Sequence, residues 1–153
     1  MTDIALNAID RRELISFRIG DQEFCVDIMD VRELRGWTPT TPLPHAPTFV
    51  RGVLNLRGVV LPVVDMSERL GLGHCEAGAR HVVIVVCIRD QWVGLLVDNV
   101  CDILAVGGAE LQPTPEMAGE AGDGLVCALV GLEDRQIGVL SLDNLLPPLA
   151  NVA

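Results

Sequence analysis

Few side chains in this sequence are spaced to do covalent chemistry. His74 and Cys75 are neighbours, a pair able in principle to supply a base and a thiolate nucleophile. Both sit in GLGHCEAGAR, residues 71–80, a Gly- and Ala-rich linker with no scaffold to hold a nucleophile in geometry. A cysteine hydrolase is therefore a remote alternative. His74, Cys75 and His81 offer zinc-type ligands, but their spacing fits no structural zinc site, so no metal is expected. The adjacent carboxylates Glu133–Asp134 and the pair Asp98 and Asp102 read as turn and strand-end residues. GxSxG, HExxH, GxGxxG and GxxxxGK[ST] are all missing from the sequence. Nothing assembles a base, a nucleophile and an oxyanion site, so no catalytic residue and no cofactor are expected.

Two other segments carry chemistry of recognition. Asn55-Leu56-Arg57-Gly58 lies between two apolar runs and reads as a hairpin tip. Gly58 suits a positive φ, and Arg57 would present a planar fork to a partner's carboxylate or carbonyls. Val31-Arg32-Glu33-Leu34-Arg35-Gly36-Trp37 alternates apolar and charged residues, as a half-exposed strand does. Its outward charges beside an aromatic make it a candidate partner surface.

The elements that must position these segments are mostly strands. The expected strands are residues 14–19, 23–28, 31–37, 49–56, 59–64, 81–88, 92–97, 100–106, 125–132 and 136–142, with turns at Gly20–Gln22, Arg57–Gly58 and Arg89–Gln91. Pro62 inside the fifth run points to an edge strand or a bulge. Short helices are expected at 67–70 and 143–146. Residues 38–48, TPTTPLPHAPT, and residues 107–124 are proline-containing crossovers.

The pattern repeats. At an offset of 69, Ile19 meets Ile88, Asp21 meets Asp90, Gln22 meets Gln91 and Leu34 meets Ile103. At an offset of 78, Leu54 meets Leu132, Arg57 meets Arg135 and Asp65 meets Asp143. Each repeat holds five strands, which close into a small barrel to remove free edges. The expected architecture is all-β. A first barrel covers about 14–70 and a second about 81–146, after an N-terminal segment 1–13. Arg57 and Arg135 are expected at equivalent turns.

Composition narrows the classes. The net charge is −10, and every base is an arginine. An acidic chain repels phosphate backbones, which argues against nucleic acid and against a nucleic-acid-binding barrel. The longest apolar run, Val82–Ile88, is far short of the roughly 20 residues a spanning helix needs. The N-terminus does not resemble a signal peptide, so a cytoplasmic location is expected. Five cysteines form no CxxC, and Cys25, Cys87 and Cys127, set in apolar runs, are expected as buried reduced thiols.

FRIGDQEFCVDIMDVRELRG, PTFVRGVLNLRGVVLPVVDM, WVGLLVDNVCDIL and ELQPTPE resemble the CheW family of bacterial chemotaxis coupling proteins. The resemblance covers about Leu14 to Leu146. It implies two SH3-like barrels and a non-catalytic adaptor joining chemoreceptor cytoplasmic tips to the regulatory domain of the histidine kinase CheA. Any membrane contact would be indirect, through the receptors. By the resemblance, kinase binding falls to Val31, Glu33, Leu34 and Pro44. Receptor binding falls to Arg57, Val83, Ile84, Gly94 and Val100, taken as a groove between barrels. An adaptor of a non-chemotaxis receptor–kinase pathway is the alternative.

Overall fold

The computed structural model describes residues 12–74, 76–113, 125–132 and 135–145. In chain order, the first strands are β1 (Arg12–Ile19), β2 (Gln22–Asp27), β3 (Val31–Gly36), β4 (Val50–Leu56) and β5 (Val59–Asp65). One helical turn follows, α1 (Met66–Arg69), N-capped by Asp65, whose side chain accepts from the Glu68 N–H. Then come β6 (Val82–Ile88), β7 (Gln91–Val97), β8 (Asn99–Val106), β9 (Leu111–Pro113), β10 (Val126–Leu132) and β11 (Arg135–Leu140). Short 3-10 turns lie at Ile28–Asp30, Gly108–Glu110 and Leu142–Asn144. The chain is all-β, as expected, and its sheets form SH3-like barrels.

The strands make two sheets, with orders β8-β1-β2-β11-β10-β9 and β3-β6-β7-β5-β4. β2 and β11 pair in parallel, and so do β5 and β7. The repeat is visible in these pairings. Val63 faces Gly94, and Val139 faces Cys25. The β4–β5 hairpin breaks register between Val50 and Gly52, and the β10–β11 hairpin between Val126 and Ala128. Thr41 bridges Val53 just as Gln112 pairs Leu129.

Two expectations change here. The hairpin equivalence is two residues tighter than the sequence offset of 78: Val50 answers Val126, Leu56 answers Leu132 and Val59 answers Arg135. Arg57 is a turn residue, whereas Arg135 is the first residue of β11, so they are not equivalent. A slip of two residues keeps every side chain on its own face, which is why apolar matching could not detect it. The compact units also do not follow the contiguous barrel limits 14–70 and 81–146. Among the described residues, one unit takes Arg12–Ser16, Glu23–Ile28 and those from Asp102 on; the other takes Phe17–Gln22 and those between Met29 and Cys101. Each sheet thus combines the opening hairpin of one repeat with the later strands of the other: β1 and β2 with β8 to β11, and β6 and β7 with β3 to β5.

Pro62 is neither at an edge nor in the bulge. It pairs with Val53 of β4, one residue before the β7 pairing begins at Val63, so its missing N–H breaks no β7 bond. Inside the second unit, Leu54, Leu56, Leu61, Val63, Val83, Val85 and Leu96 pack together, with Trp37 and Trp92 against them. Inside the first, Leu14, Cys25, Val106, Val130, Ile137 and Val139 do the same. Each such large side chain contributes roughly 1.5–3 kcal/mol when fully buried. Of the thiols expected inside, Cys25 is buried, Cys87 is half-buried and Cys127 is exposed. Cys127 adjoins the register break, where alternation no longer dictates which face a side chain takes.

Candidate functional site: an arginine–glutamate cluster

Arg57 sits at the tip of the β4–β5 hairpin with φ 52°, followed by Gly58 at φ 90°. Two left-handed residues in succession match the twist of a two-residue hairpin. The Asn55 side-chain oxygen accepts the Gly58 N–H at 2.9 Å and secures the turn. Asn or Gly would hold the first turn position more cheaply than arginine, by on the order of 1 kcal/mol. An arginine kept in a strained place is a pointer to function.

β3 lies at one end of its sheet order and, among the described residues, pairs only with β6. Its register breaks between Val31 and Glu33, leaving Arg32 as the extra residue. Such a bulge adds twist and re-aims the residues beside it. Glu33 and Arg35 then share a side of the strand. The Arg57 Nη2 donates to Glu33 Oε1 at 2.5 Å, and the Arg35 Nη1 donates to Glu33 Oε2 at 3.1 Å. Arg57 is 64% exposed, Glu33 24% and Arg35 38%. The hydrogen bond from Arg57, and next that from Arg35, hold the Glu33 carboxyl below the usual carboxylate range.

The two residues assigned by resemblance to separate surfaces are therefore hydrogen-bonded to each other. Of the other kinase-side residues, Val31 is half-buried, Pro44 is exposed and Leu34 is 47% exposed. Of the receptor-side residues, Val83, Ile84 and Gly94 are buried and Val100 is half-buried. A Cβ on Gly94 would stand 2.8 Å from Val83 Cγ1, so Gly94 is a packing glycine. Val83, Ile84 and Gly94 support the sheet rather than offering surface. Val59 and Val60, directly after the hairpin tip, were not singled out in the sequence, yet they are 43% and 61% exposed. Their signal is a broken alternation, two valines in succession of which at most one can face the core.

A second polar cluster lies beside α1. Ligating atoms of Asp65, Glu68 and His74 fall within 4.8 Å of one another. The His74 Nε2 accepts from Arg51 Nη1 at 2.8 Å, because a guanidinium only donates. The His74 Nδ1–H therefore points to Glu68 Oε1 at 3.3 Å, and the ring is already satisfied by protein groups. Arg51 also lies over the Trp37 ring at 5.5 Å. His81 does not join this group; its Nδ1 accepts the Gly78 N–H. Cys75 lies outside the described residues. Burial pushes the Cys25 thiol up to about 12, with Cys127 and Glu23 adding to the shift, so Cys25 is no nucleophile.

The first unit has its own arginine–carboxylate pair. Arg135 forks onto both oxygens of Glu23, at 3.2 Å from Nε to Oε1, and its Nη2 lies 3.9 Å from Asp102.

Comparison with known proteins bears on these clusters. The family model for the CheW-like domain matches residues 13–149. The chemotaxis protein CheW of Rhizobium meliloti is 54% identical over 136 residues, covering 89% of this chain and 88% of its own length. The chemotaxis protein CheW of Bacillus subtilis is 29% identical, covering 88% and 86%. The crystal structure of the scaffolding protein TtCheW from Thermoanaerobacter tengcongensis superposes with a TM-score of 0.80 at 27% identity, covering 88% of this chain and 92% of that one. With its two sheets, its matched hairpins and these similarities spanning most of its length, the chain belongs to the CheW-like family of chemotaxis scaffold proteins.

Proposed function

We propose that this protein is a non-catalytic cytoplasmic adaptor that couples chemoreceptor tips to the histidine kinase CheA. Family membership supplies the class. The observation that carries the assignment to a surface is the Arg57–Glu33–Arg35 cluster, formed by the β4–β5 hairpin tip and β3, with the exposed Val59 and Val60 next in the chain after the tip. A forked, exposed cation next to apolar side chains is the make-up of an interface anchor with its rim. In this reading the receptor engages Arg57 with Val59 and Val60, over a sheet supported by Val83, Ile84 and Gly94 with Val100 alongside. The kinase engages Leu34 and Pro44 at the β3 side, with Val31 beneath them. Glu33 lies between the two contacts and orients Arg57 through their hydrogen bond.

Binary affinities test this. Leu34→Asp should weaken binding of a CheA regulatory domain by about tenfold or more, and Arg57→Ala should do so for a receptor cytoplasmic fragment. Neither variant should shift the melting temperature appreciably, since both side chains are exposed. Folded variants that bind both partners as wild type does would remove this surface from the account.

A further inference from the structure

Glu33 is one carboxylate held by two guanidinia, each taking a different oxygen. The three side chains sum to +1 on a chain whose net charge is −10. The Arg35 Nε–H is buried and, among the described residues, has no acceptor. Arg57 spends one N–H on Glu33 and is otherwise largely open to solvent. This cluster has more donors than acceptors, and those of Arg57 that Glu33 does not take face solvent.

We infer that the receptor presents a carboxylate that draws Arg57 away from Glu33, and that Arg35 is the positioning residue that keeps Glu33 paired when this happens. The inference rests on the adaptor reading above and specifies the partner's chemistry at the same site. A carboxylate that loses its sole cation at a partly covered position is left uncompensated, which opposes the exchange. Glu33 avoids this because Arg35 remains on its second oxygen. One arginine–carboxylate pair is then exchanged for another, with no charge stranded. Because Val59 and Val60 adjoin the tip, the incoming acid stands beside an apolar side chain, as on the face of an amphipathic helix.

The test is affinity for a receptor cytoplasmic fragment, measured for wild type, Glu33→Gln, Arg35→Gln and the double variant. Glu33→Gln removes the internal competitor, so it should bind as tightly as wild type or more tightly. Arg35→Gln makes Glu33 rely on Arg57 alone and should weaken binding by about three- to tenfold. Adding Glu33→Gln to Arg35→Gln should restore the affinity, which a merely structural role for Arg35 would not allow. Titration of the Glu33 carboxyl by NMR should show its pKa rising on complex formation while staying below the usual range. Wild-type protein that fails to bind the receptor fragment overturns the adaptor reading itself. Wild-type binding with Glu33→Gln weakened more than threefold, or with no restoration in the double variant, overturns the exchange alone. The same pattern seen with a CheA regulatory domain instead overturns the assignment to the receptor.

Discussion

The Arg57 guanidinium and the Glu33 carboxylate, 24 residues apart in sequence, meet at 2.5 Å and join the two ends of one sheet. Glu33 lies on β3, the first strand of the order β3-β6-β7-β5-β4, and Arg57 lies on the turn that links its last two strands. Contact between opposite ends means the sheet has curled into a barrel. The first unit repeats the device in another register. There Asp102, offset by 69 from Glu33, lies near Arg135, which is two residues beyond the position that answers Arg57. Closure is thus tied to the charged cluster of Arg57, Glu33 and Arg35.

Arg57→Asn separates the two roles of this turn. It relieves left-handed strain but loses an exposed ion pair, and each effect is about 1 kcal/mol or less. Urea unfolding should place its stability within about 1 kcal/mol of wild type, while receptor binding falls by about tenfold. A loss of stability of about 3 kcal/mol would make Arg57 chiefly structural.

Glu33 should leave a signature in the acid limb of stability. Its carboxyl is held below the ordinary range in the folded state, so its contribution is fully present above the unfolded value. That contribution disappears as pH falls through the folded value. Unfolding curves for wild type and Glu33→Gln should therefore differ near neutrality and converge in acid. A difference that grows on acidification would contradict the arginine pairing.

Gly94→Ala tests the distinction between support and surface. The added Cβ would press on Val83 at 2.8 Å, on Leu61 and Val63 at 3.4 Å, and should cost about 1–3 kcal/mol. Its partner affinities, measured where it is fully folded, should stay near wild type. Stability unchanged with receptor binding lost would return Gly94 to the contact surface.

Among Cys25, Cys87, Cys101 and Cys127, an alkylating reagent at neutral pH should modify Cys127 ahead of Cys25. Cys127 is exposed, whereas Cys25 is buried with its thiol pushed up to about 12. Mass spectrometry of digested protein reads the order directly. Early modification of Cys25 without unfolding would mean that β2 opens more readily than its packing allows.

Most strand positions were legible because alternation and turn residues are local signals, and Gly20, Gly58 and Asp90 punctuate the hairpins where expected. β9 was not, because its three residues lie in the stretch read as a proline-containing crossover. The partner of each strand was not legible. Nothing in Val31–Gly36 says that it pairs with β6 of the other repeat, since apolar faces of similar size accept one another. The two-residue slip at Arg135 was hidden for a related reason, that parity alone sets the face. Glu33 and Arg57 were both visible as candidates, but their contact is set by barrel closure, which no short segment encodes. Arg35 carried only the weak signal of an arginine two residues after a glutamate on one strand face.

An adaptor must hold receptor and kinase at the same time. Analytical ultracentrifugation of the wild-type protein with a receptor cytoplasmic fragment and a CheA regulatory domain addresses it directly. The expected result is a species containing all three proteins, which loses the receptor fragment with Arg57→Ala and the regulatory domain with Leu34→Asp. Two binary complexes that displace each other, with no ternary species at any ratio, would contradict it.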